Sequence, residues 1–262
     1  FAALYSALGT KVAVVEMLPQ ILPTVDGQIA AKIRSRLAKD GVTFLTDAKV
    51  SEIKTAVTGM QVVVEQRDDR QELSGQYVLV ATGRKASIRD AGLDAAGVKT
   101  EKGKIPVNDH FATNISHIYA IGDCNAQMML AHAASAQGAA AAEHALGHQA
   151  AYHQEIIPYC IYTSPEAAGV GLTEEAAKAR GLDYKIGLFP LAANGKSLIE
   201  GGEDGLVKII ADKRYGAILG AHIYGPRATD MVAELALAMR AEATLDEIAA
   251  TIHAHPTVSE AI

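Results

Sequence analysis

Residues 11–15 read KVAVV, a short β-branched run, and the chain passes from there into a helix-period stretch and back into a second apolar run. Unbroken runs of this length mark strands covered on both faces, as in parallel sheets. Between residues 26 and 40 the spacing of Ile29, Ile33 and Leu37 predicts one apolar helix face, with Gly41 as its stop. VTFL at 42–45 then resumes the strand pattern. Parallel strands need a crossover, and that crossover is right-handed, so few topologies remain. The first part of the chain is therefore predicted to be an α/β unit. Ahead of it, Ala2, Ala3, Leu4, Ala7 and Leu8 predict a helix ending at Gly9. That helix begins without a cap, and further chain is expected upstream of Phe1.

Glu16 closes the KVAVV strand. In a dinucleotide-binding βαβ unit, an acidic residue at the end of the second strand accepts hydrogen bonds from the adenosine ribose, about 20 residues after a glycine-rich turn. Glu16 either has that role or simply ends a strand. No Arg follows it closely, which favours a dinucleotide lacking the 2′-phosphate.

Further on, MQVVVEQ and YVLVATG read as strands separated by the polar turn RDDRQE, with a return strand ending at Gly83. HIYAIGD predicts another strand, stopping at Gly122-Asp123. A glycine followed by a carboxylate there is either a turn or a place where a ligand hydroxyl approaches the backbone and meets an acceptor. MLAHAASAQGAAAAEHALG follows, a helix rich enough in Ala for close approach, whose amino end suits an electron-rich oxygen. It reads equally as a tightly packed core helix.

After about residue 154 the pattern changes. GVGLTE imitates the start of a G-x-G-x-x-G fingerprint but has Glu174 at the third glycine position. It is read as a strand followed by Thr173 capping a helix with Glu174 and Glu175 in its first turn. GLVKIIAD and GAILGAHIYG predict two more strands, and helices are expected over 229–241 and 245–252. Strands followed by helices on one side indicate an α+β module. The chain ends in HAHPTVSEAI, where Pro256 predicts a helix start, with His255 at the cap and Glu260 in the next turn.

Hydrophobic residues make up 49% of the 262, enough for buried cores. A net charge of −6 without runs of like charge points away from nucleic acid and from anionic membrane surfaces. No stretch approaches 18 consecutive apolar residues. Cys124 and Cys160 form no CxxC or CxxxxC pair, so they are expected to be buried thiols of a cytoplasmic protein, and no metal site is expected.

Taken in order, VVEMLPQILP, VLVATGR, TNISHIYAIGD, MLAH, YTSPEAAGVGLTEE and HAHPTVSEA resemble the pyridine nucleotide-disulfide oxidoreductases over nearly all 262 residues. The likeness is strongest to members that oxidise dihydrolipoyl groups of 2-oxo acid dehydrogenase complexes. The resemblance implies a Rossmann-like α/β nucleotide-binding portion plus an α+β dimerisation domain. It divides the chain into a partial NAD-binding domain at 1–83, a central FAD-contacting domain at 84–153 and an interface domain at 154–262. It implies FAD and NAD as cofactors, either of which is expected to be absent from this chain by itself, because the family's first FAD fingerprint and redox CxxxxC are not among these residues. Lipoamide reductase activity is accordingly not expected of the chain alone. The partners implied are a second copy in a homodimer and the lipoyl domains of such a complex.

Residue by residue, the resemblance makes Glu16 the NAD ribose ligand, with Val50 and Gly83 lining the NAD site. Asp123 would hold the FAD ribityl chain, and Met129, Leu130, Ala131 and His132 would pass beside the flavin. His255 and Glu260 match the catalytic base and its orienting carboxylate, with the His acting in the opposite subunit, while His253 is read as structural. Two departures, Ala133 where Lys is common and Lys85-Ala86 after Arg84, leave the subfamily open. A glutathione or mercuric reductase-type relative is one alternative; a noncatalytic dimerisation module is another.

Overall fold

The computed structural model of the chain describes residues 1–67, 69–149 and 152–262. The chain forms two compact units, one made of Phe1–Leu79 together with Pro158–Ile262, the other of Val80–Ile157. The first opens with α1 (Ala2–Ala7), β1 (Ala13–Val15), α2 (Gly27–Lys39) and β2 (Thr43–Leu45). β1 and β2 pair in parallel, Val14 opposite Phe44, which gives the expected strand–helix–strand crossover. The burial expected for KVAVV is only partial, because Ala13 is exposed and Val14 and Val15 are half-buried. An antiparallel meander of β3 (Ala48–Ala56), β4 (Gly59–Gln66) and β5 (Asp69–Gly75) follows.

The meander departs from the sequence expectation. β3, rich in Lys and Glu, has no clean alternation and was not predicted; pairing with β4 makes it a strand. RDDRQE, expected as a turn, is already strand from Asp69, while Asp68 lies outside the described residues. YVLVATG, expected as a return strand, forms no ladder, and Tyr77, Leu79 and Val80 are exposed. Propensity alone does not make a strand: a neighbouring edge must supply N–H and C=O partners, and among the described residues the parallel sheet holds only β1 and β2.

The rest of this unit is a five-stranded antiparallel sheet in the order β6-β7-β10-β9-β8. Its strands are β6 (Tyr159–Ile161), β7 (Glu166–Gly171), β8 (Tyr184–Pro190), β9 (Leu206–Asp212) and β10 (Ile218–Gly225). Between them run α4 (Glu174–Ala179) and α5 (Gly195–Ile199), and after them α6 (Ala228–Arg240) and α7 (Leu245–Ala250); α3, from the other unit, is described below. Thr173 Oγ1 accepts from the Ala176 N–H at 3.1 Å, so GVGLTE is strand and capped helix, as its glutamate indicated.

A helix from the first part of the chain, α2, also covers this sheet. The apolar face of α2, with Ile29, Ala30, Ile33 and Leu37, is buried in one core with Ala167, Leu206 and Tyr224 of the sheet. Strand residues alternate faces, so Ala221 and Ile223 of β10 point to the opposite side. α6 packs against β7 and β10, burying Met231, Val232 and Leu235. Its amino end lacks a cap of its own; Glu166 Oε2 accepts from both the Thr229 N–H at 3.0 Å and its hydroxyl at 2.8 Å.

A buried ionic cluster fastens α2 to the sheet. Lys208 of β9 is fully buried, with Nζ 2.9 Å from Asp26 Oδ2 and 2.6 Å from Glu174 Oε2. Asp26 caps α2 by accepting from the Gln28 N–H and also accepts from the Glu174 N–H at the start of α4. Alongside, His222 donates Nε2–H to the Leu172 carbonyl at 3.0 Å and accepts at Nδ1 from the Tyr159 hydroxyl at 3.2 Å. Burial lowers its proton affinity, in keeping with a neutral ring beside the lysine. Gly169 permits that contact, since a Cβ there would lie 2.5 Å from His222 Nδ1 and 2.6 Å from the Tyr159 hydroxyl.

In the second unit, α3 (Ala131–Ala145) is the one α-helix among the described residues. HIYAIGD is not a strand there: it makes a single bridge, Ala112 to Tyr119, and then coils into a 3₁₀ turn at Gly122–Asn125. Phe111 sits edge-on to Tyr152 at 4.9 Å and packs against Ala140 and Ala141 of α3. No helix among the described residues is long and apolar enough to cross a membrane.

Removing one member of a buried ion pair strands the other. Lys208→Met is therefore expected to lower the unfolding free energy by about 3–5 kcal/mol, measured by urea denaturation; a loss below about 1 kcal/mol is incompatible with this arrangement. Burial is the largest single influence on Asp26 and raises it, but the Lys208 hydrogen bond, the neighbouring charges and the Glu174 N–H together outweigh it and the carboxyl lies below its ordinary value. Burial alone lowers Lys208, but Glu174 and Asp26 together leave it raised. A lowered carboxyl stabilises above its unfolded value and loses that contribution as pH falls through the folded one; a raised ammonium loses it as pH rises through the folded one. The urea-midpoint difference between the natural chain and Lys208→Met is expected to be flat around neutrality and to shrink at both extremes.

Candidate functional site

The carboxyl-terminal segment is where the predicted acid–base residues meet. His255 Nδ1 lies 2.8 Å from Glu260 Oε1. The predicted helix start at Pro256 is absent: residues 251–258 are irregular and only a 3₁₀ turn forms, at Ser259–Ala261. The backbone there is engaged by side chains instead. The Thr257 N–H donates to Glu260 Oε2 at 2.8 Å, the Thr257 hydroxyl donates to the Ala254 carbonyl at 2.7 Å, and the Thr257 carbonyl accepts from Asn194 Nδ2 at 3.0 Å. Such bonds compete with a helix for the same groups.

The His255 side chain is 82% exposed and that of Glu260 29%. The Thr257 N–H and then the His255 ring hold the Glu260 carboxyl below its ordinary value, so it is an anion at neutral pH. An anion only accepts; the bridging hydrogen therefore sits on His255 Nδ1, and in the neutral ring Nε2 presents its lone pair outward. Such a ring can take a proton at Nε2 while the carboxylate balances the charge. His253 forms a second, more buried pair, with Nε2 2.7 Å from Glu234 Oε1 of α6.

Of the predicted nucleotide residues, Glu16 and Val50 lie in the first unit and Gly83 in the second. Glu16 follows β1 directly, and its Oε1 accepts from the Leu18 N–H at 2.8 Å, leaving acceptor capacity on a fixed carboxylate. Val50 is exposed on β3 beside a bulge, and Gly83 takes a φ of 103° in an open loop.

The second unit holds the other predicted set. Asp123 lies on the 3₁₀ turn and accepts from Arg84, a pairing the sequence did not disclose. The turn is anchored by buried Gln137 of α3, whose Oε1 accepts from the Gly122 N–H at 2.7 Å and from Asn125 Nδ2 at 3.0 Å. Gly122 has φ 72°, and a Cβ there would stand 3.0 Å from the Ala134 Cβ, so the position is both conformationally and sterically suited to glycine. Met129 and Leu130 lead into α3, whose amino end has no side-chain cap, and Ala131 and His132 are exposed on its first turn. The Asp123 acceptor beside the Gly122 backbone fits a hydroxyl-rich ligand, and the positive end of the α3 dipole fits an electron-rich one.

The residues that touch the candidate site and that the sequence did not reveal are Asn194, Glu234, Arg84 and Gln137. Asn194 carried one signal, as an N-cap residue before the short α5; the others act across distances that no local pattern encodes.

Residues 1–138 match the family described as pyridine nucleotide-disulphide oxidoreductase, and residues 157–262 match the dimerisation domain of the same family. Dihydrolipoyl dehydrogenase of Bacillus subtilis is 44% identical over 265 residues, covering 100% of this chain and 56% of that protein. Dihydrolipoyl dehydrogenase of Thermus scotoductus is 39% identical over 262 residues, covering 99% and 57%. Among solved structures, LpdA from Mycobacterium tuberculosis superposes with a TM-score of 0.91 at 26% identity, covering 100% of this chain and 57% of that one. The chain thus spans little more than half the length of the relatives it matches.

Gln137→Leu leaves the buried Gly122 N–H and Asn125 amide without their acceptor. The expected result is a loss of about 1–3 kcal/mol per orphaned group, read by thermal or urea unfolding of the chain. An unchanged midpoint contradicts the anchoring role.

Proposed function

The chain belongs to the pyridine nucleotide-disulphide oxidoreductases, and from that membership we propose that it is part of a dihydrolipoyl dehydrogenase acting on the dihydrolipoyl groups of a 2-oxo acid dehydrogenase complex. The observation that carries this reading is the exposed His255 held at 2.8 Å by Glu260. A dithiol attacks a disulfide as its thiolate, so one thiol must first lose a proton. His255 Nε2 is the group that takes it. Glu260 keeps the ring in the tautomer that leaves Nε2 open and supports the imidazolium once it forms. Both act in the cleft of a second subunit, and residues 157–262 supply the contact that makes the homodimer.

The nucleotide residues fit the groups the family carries. Glu16 offers a positioned acceptor for the ribose hydroxyls of NAD, with Val50 in the same unit; Gly83 is assigned to NAD by the family resemblance. Asp123 offers an acceptor for the FAD ribityl hydroxyls once Arg84 gives way, and Met129, Leu130, Ala131 and His132 border the flavin. Bound FAD and NAD supply the two-electron acceptors for the reducing equivalents of the dithiol. The setting proposed is cytoplasmic, where Cys124 and Cys160, free thiols here, stay reduced.

In a full-length enzyme carrying this chain, His255→Gln is expected to lower dihydrolipoamide oxidation by about two to four orders of magnitude while leaving the flavin spectrum in place. A change below about threefold is too small for loss of a general base and would sink the assignment.

A further inference from the structure

An imidazole as exposed as His255 does not hold one geometry unaided. An exposed ion pair is weak, and fixing the backbone of an irregular segment is entropically unfavourable, so the Glu260 contact alone does not order the loop. The loop is instead fastened at two points placed symmetrically about His255. Two residues before it, His253 is held by Glu234 of α6. Two residues after it, the Thr257 carbonyl is held by Asn194.

Asn194 is suited to this second role. It is 6% exposed, and its two amide functions point to different tasks. Oδ1 accepts from the Ser197 N–H at 2.8 Å and caps α5, while Nδ2 donates at 3.0 Å to the Thr257 carbonyl, 63 residues away in sequence. Thr257 then donates its own N–H to Glu260 Oε2, and Glu260 Oε1 meets His255 Nδ1. The contacts run without a gap from a buried amide to the exposed ring.

We propose that Asn194 is a positioning residue for the His255–Glu260 pair: through Thr257 it fixes the carboxylate, and through the carboxylate the tautomer and direction of the ring. The inference rests on the reading of His255 as the proton acceptor. It assigns Asn194 no contact with substrate.

Asn194→Asp separates the two tasks. Aspartate retains a capping oxygen for Ser197 but has no donor for the Thr257 carbonyl. The imidazole ¹⁵N signals of the 262-residue chain are recorded across pH, with the His255 signal assigned by its loss in His255→Gln. In the natural chain His255 is expected as the Nδ1–H tautomer. In Asn194→Asp, with a melting temperature within a few degrees of the natural chain, the signal is expected to shift toward the Nε2–H form that prevails in an untethered histidine. A natural-like tautomer in folded Asn194→Asp overturns the proposal. Should that variant not fold, Asn194→Ser, which keeps a capping hydroxyl too short to reach Thr257, is read in the same way with the same two outcomes. The measurement needs no turnover, so it can fail while the acid–base role of His255 stands, and it can succeed even if the full enzyme tolerates His255→Gln.

Discussion

The buried ammonium of Lys208 is the contact on which the larger unit depends. Two carboxylates converge on it, and one of them, Asp26, also caps α2 and meets the first amide of α4. A single side chain at the end of a loop thereby fixes where a helix from the first 80 residues meets a sheet built from the last 100. An apolar interface alone would leave α2 able to slide along the sheet, because hydrophobic contact has no direction. The ion cluster has one geometry, and its fully buried members tolerate no other pairing. That is a role in specificity, and it does not require the cluster to be more stabilising than an apolar replacement of all its members.

From that sheet the candidate site follows by short steps. α2 covers one face, α6 the other, and α6 presents Glu234 to His253 while the segment after β8 presents Asn194 to Thr257. The irregular carboxyl-terminal segment is thus held by elements already fixed in the sheet. Two imidazole–carboxylate pairs result, only two residues apart in sequence, with different surroundings. His253 is largely covered and anchors; His255 is open to solvent, as a group must be if a substrate thiol is to reach it. The difference in exposure separates the holding pair from the one proposed to react.

Much of this was legible in the amino-acid order. The strand–helix–strand opening, the capped helix after GVGL and the two long strands of the sheet followed from periodicity and cap chemistry, which act within a few residues. The pairing of His255 with Glu260 was expected from the family pattern, but the reason offered from Pro256, a helix start, was not what the chain does. Thr257 gives its N–H, hydroxyl and carbonyl to Glu260, Ala254 and Asn194, and no helix remains possible there. YVLVATG and HIYAIGD have strand composition without a ladder, since a ladder depends on an edge elsewhere in the chain and not on the segment itself. Lys208 read as a polar interruption in GLVKIIAD; its two partners lie 182 and 34 residues away, beyond any local signal.

The central claim is that Glu260, 2.8 Å from Nδ1, holds His255 in the tautomer whose Nε2 accepts a thiol proton. The most direct measurement is the pH dependence of the reductive half-reaction, followed by stopped flow with dihydrolipoamide, in a full-length enzyme and in its Glu260→Gln variant. With the anion gone, the ring loses the partner that fixes its tautomer and supports the imidazolium, so the account predicts that the plateau rate falls by about tenfold or more. An unchanged plateau in the variant would contradict it.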